Sequence, residues 1–137
     1  MTRARAACAG AAAALAWAAL EPIDIRLLGN DYSDTAMLGK LVTRSRLWPF
    51  AGLAVHAANG AAFGLAYREL RRRTGRGSAV GLALAEHTLL YPLGVLVDRL
   101  HPARGSRGLA PMISKRGFAQ ETLRHAVFGA LLGRLAR

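Results

Sequence analysis

The sequence predicts an all-α integral membrane protein, a four-helix bundle with a short interfacial helix in its first long connector. Three observations predict it. Apolar residues gather in four long blocks, arginine-rich connectors separate those blocks, and aromatic residues bracket the second block at the spacing of two membrane interfaces. A single membrane domain of residues 1–137, with helices at about 6–28, 47–67, 77–97 and 118–136, accounts for the whole chain. The mean hydropathy of +0.21 is modest because the charged connectors dilute the blocks.

The first block, Ala6 to Leu20, is uncharged and follows Arg3 and Arg5. A basic start, an apolar centre and the small residues around Trp17 give it the look of a signal peptide. Apolar sequence resumes beyond Glu21 and Pro22 with Ile23, Leu27 and Leu28, so an uncleaved helix reaching Leu28, long enough to span, is the expectation. Asn30, Asp31, Ser33 and Asp34 then supply turn and capping oxygens. From Asp34, Leu38, Leu41 and Val42 recur at helical spacing with Lys40 and Arg44 on another side, which predicts the short interfacial helix.

The second block, Leu47 to Tyr67, has 21 residues without formal charge when His56 is neutral, with Trp48 and Tyr67 at its two ends. It is the strongest membrane signal in the chain. The stretch Arg68 to Arg76 packs five arginines into nine residues and reads as the turn of a hairpin between antiparallel spans. The third block, Gly77 to Val97, is interrupted only by Glu86 and His87. Pro92 should kink it and free the carbonyl of Thr88. After Asp98 the chain is rich in Pro, Gly, Ser and Arg through Gly117, a second long polar connector. The last block, Phe118 to Ala136, carries Glu121, Arg124, His125 and Arg134; it is read as spanning, with an interfacial amphipathic helix as its alternative.

Basic residues outnumber acidic ones, 19 to 8, a balance that also marks nucleic-acid binders. Here the arginines flank each apolar block instead of clustering on one reading face. That pattern points to the lipid bilayer as partner and excludes nucleic acid. The lone Cys8 excludes an intrachain disulfide and a cysteine-rich zinc site.

Ionisable groups inside the blocks are the candidate site. Counting from the ends that adjoin the two long connectors, Glu21, His56, Glu86 or His87, and Glu121 with His125 fall at similar depth, roughly 10–15 Å at about 1.5 Å per residue. Asn59 follows His56 by one helical turn. Polar groups at membrane depth are costly and find partners inside the bundle, so these seven residues are expected to form an intramembrane polar cluster. Gly52, His56, Gly60 and Gly64 make a stripe at four-residue spacing, and Thr122, Ala126, Gly129 and Gly133 make another. Both predict close helix packing, with Gly52, Gly60, Gly64, Gly129 and Gly133 as the packing glycines.

Catalytic motifs are absent: there is no G-x-S-x-G, no H-E-x-x-H and no phosphate-binding glycine loop. Glu121 and His125 share a helix face, but neither the spacing nor the number of ligands of a di-metal bundle is matched, and no C-x-x-C-H haem attachment is present. No metal, cofactor or catalytic residue is therefore assigned. The function expected is that of a structural or accessory membrane protein of unassigned activity built around the polar cluster. A small transporter or proton pathway is the alternative, and a metal- or haem-binding membrane protein is a further one.

The segments Asp98-Arg99-Leu100-His101-Pro102-Ala103-Arg104, Phe118-Ala119-Gln120-Glu121-Thr122-Leu123-Arg124-His125 and His56-Ala57-Ala58-Asn59-Gly60 resemble small four-helix inner-membrane proteins of high-GC bacteria. The resemblance covers most of the chain. It implies a fold and an inner-membrane location and carries no activity with it.

With both termini inside, nine basic residues face the cytoplasm: Arg3, Arg5, Arg68, Arg71, Arg72, Arg73, Arg76, Arg134 and Arg137. Ten face the other way, in or near the long connectors, with Arg124 among them. The short arginine-dense loop favours termini in the cytoplasm. So even a balance also permits insertion both ways and an antiparallel homo-oligomer.

Overall fold

The computed structural model of the chain describes residues 1–75 and 77–137. It is all-α: α1 Arg3–Leu28, α2 Asp34–Val42, α3 Trp48–Thr74, α4 Ala79–Leu90, α5 Gly94–Leu100 and α6 Lys115–Leu135. Among the described residues there is no strand, only one isolated bridge between Tyr32 and Leu109.

Side-chain oxygens cap four of the six helices. Thr2 accepts from Arg5 N, Ser33 from Ala36 N, Ser78 from Gly81 N and Ser114 from Gly117 N, each satisfying an amide that the helix leaves open. Helix α1 ends at Gly29, whose φ of 61° lets its amide return to Ile25 O. Pro92 interrupts the third block as expected. It sits in a 3-10 turn, Tyr91–Leu93, that joins α4 to α5 in one helical stretch.

One boundary and one packing relationship differ from expectation. The arginine-rich segment is helical: α3 runs on through Arg68–Thr74 and stops at Gly75, because Glu69 lies one turn before Arg72 and Arg73 and pairs with both, at 2.7 Å each. Arg76, the last of the expected turn, lies outside the described residues. Nor do α3 and α4 pack as a hairpin. Helix α3 lies along α1 and α2, α4 lies along α6, and α1 joins the two pairs by packing on α6.

Glycine sets the closeness of these contacts. A Cβ on Gly60 would meet Gly10 O at 2.5 Å and Ala14 Cβ at 2.6 Å, and a Cβ on Gly10 or Gly64 would collide with the backbone of the facing helix. Gly39 and Gly52 do the same between α2 and α3, and Gly129 against Val80 Cα (2.6 Å) between α6 and α4. Gly133 is different, with only ordinary contact to Ala79 Cβ at 3.5 Å. The two long connectors fold onto each other: Ser33 N donates to Gly108 O, Ala110 N to Asp31 O, and His101 Nε2 to Met37 O.

Burial is distributed unusually. The buried set is small or polar, with Ala6, Ala9, Ala13, Ala14 and Ala83 beside Glu21, Asp24, Gln120, Glu121 and Arg124. Large apolar side chains lie outside, among them Ile23, Leu27, Phe50, Leu89, Leu93 and Leu96, each more than half exposed. Two helical stretches, Arg3–Leu28 and Ala79–Leu100, are long and apolar enough to cross a membrane. Helix α3 is long enough but less apolar, because alanine, glycine, His56 and Asn59 make up much of its uncharged stretch.

Candidate functional site

Arg124 occupies the centre of the interior and is 2% exposed. Helix α6 places it one turn beyond Gln120 and three residues after Glu121. Its guanidinium meets Asp24 of α1 in a two-pronged pair, Nε to Oδ2 at 2.7 Å and Nη2 to Oδ1 at 2.9 Å. Nη2 also donates to Tyr32 O at 2.8 Å, while Nη1 donates to Asp34 Oδ2 and Glu121 Oε1, both at 3.1 Å. All five N–H groups are thereby satisfied, the condition under which a buried guanidinium is tolerable. The rings of Trp17 and Tyr32 lie 5.6 and 5.7 Å from its central carbon. Gln120 extends the network, donating to Asp24 Oδ1 at 3.0 Å and accepting from Asn30 Nδ2 at 2.7 Å.

Beside this network opens a cavity of about 330 Å³ between α1, α2, α3, α4 and α6. Six of the seven candidate polar residues line it: His56, Asn59, Glu86, His87, Glu121 and His125. Asp34 and Arg124 complete the polar wall, and Trp17, Phe63, Tyr91 and Phe128 supply aromatic surface. Glu21, the seventh, does not line it. Its carboxylate accepts from Ser33 Oγ (2.5 Å) and Thr35 N (3.1 Å), and so anchors the start of α2. Asn59 is an exposed residue even though it lines the cavity.

Hydrogen bonding fixes the proton inventory on the α4–α6 wall. Thr122 Oγ1 donates to Phe118 O at 2.7 Å, so its oxygen accepts from His87 Nε2, 3.0 Å away. His125 Nδ1 lies 2.8 Å from Glu121 O; a carbonyl only accepts, so Nδ1 carries a proton. The other nitrogen, Nε2, lies 3.2 Å from Glu86 Oε2. A neutral imidazole would turn a bare lone pair toward that oxygen. The contact is a hydrogen bond only with one further proton, on Nε2 or on the carboxyl group. The His87 and His125 rings stack at 4.8 Å, 30° apart.

On the opposite wall, Trp17 Nε1 and His56 Nε2 are buried without a hydrogen-bond partner. The site therefore has two halves. Every N–H of Arg124 itself is paired, while the Trp17 and His56 nitrogens on the α1–α3 wall remain free.

Several of these residues escape a reading of the sequence alone. Arg124 counts there as a connector charge at the membrane surface, whereas the structure buries it in the interior. Asp24 carried a usable signal, an acid flanked by Ile23 and Ile25 in an apolar helix, and Gln120 and Arg124 share one face of α6 with each other. Among the described residues no group of three or more His, Cys, Asp and Glu side chains has the arrangement to hold a metal ion. Comparison of the chain with protein-family models, with curated proteins and with solved structures gives no match.

Proposed function

We propose that the chain is an integral membrane four-helix bundle of the cell inner membrane whose interior cavity takes up and passes protons. The membrane reading rests on the inverted distribution of side chains: leucines and phenylalanines on the outside, an ion network and small residues inside. In water such a surface would be a large apolar patch, and in lipid it is matched to its solvent. On this reading α2 and the two connectors lie at one interface, and both chain ends lie together at the other, where Arg68 Nε donates to Met1 O and Arg5 to Arg137 O.

The proton reading rests on one observation, the Glu86–His125 contact whose geometry requires a proton that neither group's other bonds supply. Glu86 lines the cavity and its side chain is 40% exposed, so the pair is not sealed inside the helix contact. Behind it, Glu21, Asp24, Asp34 and Glu121 set four carboxylates near one guanidinium, an acidic surroundings that favours cations and protons over anions. The chain reconstituted in vesicles loaded with a pH-sensitive dye tests this. Acidification should follow an imposed gradient in the parent protein and fall by about tenfold or more in Glu86→Gln and in His125→Ala, the scale of losing one positioned proton carrier. Equal rates in parent, variants and empty vesicles would refute it.

A purely structural cluster is the second reading, favoured by the complete satisfaction of Arg124. The vesicle measurement separates the two, since a structural cluster leaves no gradient-driven flux.

A further inference from the structure

We infer that the end of the bundle where the chain termini meet binds the phosphate headgroup of an anionic phospholipid. This rests on the membrane reading above and concerns a different site. A cleft of about 610 Å³ there is lined by Met1, Arg5, Arg68, Arg71, Arg72 and Arg137. Its arginines come from the start of α1, from the last turns of α3 and from Arg137, two residues past the end of α6.

Charge at this end is largely uncompensated. Among the described residues Glu69 is the side-chain carboxylate paired there, and it is committed to Arg72 and Arg73. Arg68 spends Nε on Met1 O at 3.0 Å, Arg5 spends one Nη on Arg137 O, and Arg71 lies over the Tyr67 ring at 5.9 Å. Arg68 and Arg71 keep guanidinium N–H groups with no acid beside them, while Arg5 is held by the Arg137 carboxyl oxygen. Guanidinium groups converging on one cleft match a phosphodiester, which presents two anionic oxygens to paired donors.

Adjacent surface selects a lipid over a free anion. Leu65, one turn before Arg68, is 39% exposed, and Leu135, beside the Ala136 that lines the cleft, is 46% exposed. Tyr67 marks the boundary, with its ring buried and its hydroxyl reaching Gly77 O at 3.4 Å. A headgroup in the cleft would set acyl chains along those leucines, and a basic pocket between helices at a membrane surface suits an anionic lipid.

Thermal unfolding of the detergent-purified full chain, titrated in parallel with phosphatidylglycerol, phosphatidylcholine and inorganic phosphate, tests the site. Phosphatidylglycerol alone should raise Tm saturably. In the double variant Arg68→Gln/Arg71→Gln the apparent affinity should weaken by about tenfold or more, given the contribution of each basic side chain at a charged surface. These side chains are exposed or half-buried, so the variant keeps its core; Arg134→Gln, outside the cleft, controls for net charge. An equal rise with phosphatidylcholine, a rise reproduced by inorganic phosphate, or an unchanged affinity in the double variant would each overturn the inference. Failure of the membrane reading shows elsewhere, as a chain that stays dispersed without detergent.

Discussion

Arg124 and Asp24, one hundred positions apart in the chain, meet through two parallel hydrogen bonds of 2.7 and 2.9 Å and tie α6 to α1. Asp34, Glu121 and Tyr32 O take the remaining N–H groups, so a single side chain links both ends of the chain to the first connector.

Replacing Arg124 by methionine should therefore be severe. The apolar replacement fills similar volume but leaves Asp24, Asp34 and Glu121 facing one another without a cation. Breaking one side of a buried pair costs about 3–5 kcal/mol. Arg124→Lys should recover little, since an ammonium offers three donors and no planar fork. Chemical unfolding in detergent measures both, and a loss below about 1 kcal/mol, the level of an exposed ion pair, would show the network to be incidental.

Close helix approach yields a contrasting pair. Gly60→Leu must push α1 from α3, because Gly10 O and Ala14 Cβ occupy the space of the new side chain. Overpacking of this kind costs about 1–3 kcal/mol, and in lipid the added leucine gains little from burial. Gly133→Ala meets Ala79 Cβ at an ordinary 3.5 Å and, with helix propensity in its favour, should be neutral or stabilising by up to about 1 kcal/mol. Similar melting losses for the two substitutions would contradict this assignment of the α1–α3 contact.

What was legible in the sequence follows from local physics. Helix positions came from block length and, for α2, from a capping residue: Ser33 does cap α2, whereas the caps that Ser78 and Ser114 provide to α4 and α6 went unread among the other polar residues of their connectors. Gly52, Gly60, Gly64 and Gly129 were readable because small residues at four-residue spacing have few uses except close approach. Pairing was not legible. A charge in a helix does not announce its partner, so Arg124 read as a surface arginine until α1 brought Asp24 to it. The partners of Glu21 were not legible for the same reason: depth counting sees only the helix, and Ser33 and Thr35 come from a connector. The arginines after Tyr67 read as a turn because charge density outweighed the i, i+3 and i, i+4 spacing of Glu69 with Arg72 and Arg73.

Tyr32 should limit alkaline stability. It lies in the first connector, buried to 1% exposure, with a hydroxyl that has no hydrogen-bond partner. Burial first, then the charges of Asp34, Glu121 and Asp98, push its phenol well above the ordinary value near 10, opposed only by Arg124. Below about pH 10 both folded and unfolded chains hold the proton and the group contributes no pH dependence. Above it the unfolded chain ionises first, so folded stability falls as pH rises. Tyr32→Phe should remove that fall and at neutral pH should be neutral or slightly stabilising, because the lost hydroxyl had no bond to lose. Melting curves at pH 8 and at pH 11 decide it; an equal alkaline loss in the variant would assign the effect to another group.

The inverted surface makes the last prediction the most discriminating. Leu89 sits mid-way along the apolar stretch Ala79–Leu100 and is 76% exposed, while Ser106 is exposed in the second connector. In a water-soluble bundle, cysteines at both positions would react alike with a charged, membrane-impermeant maleimide. In a membrane bundle only the connector cysteine meets water, because the thiolate that reacts does not form in hydrocarbon. With the native thiol removed by Cys8→Ala, Ser106→Cys should label quickly in isolated open membranes, and Leu89→Cys should label only after denaturing detergent is added. Rapid labelling of Leu89→Cys in intact membranes would place that face in water and remove the basis for reading the exposed leucines as a lipid-facing surface.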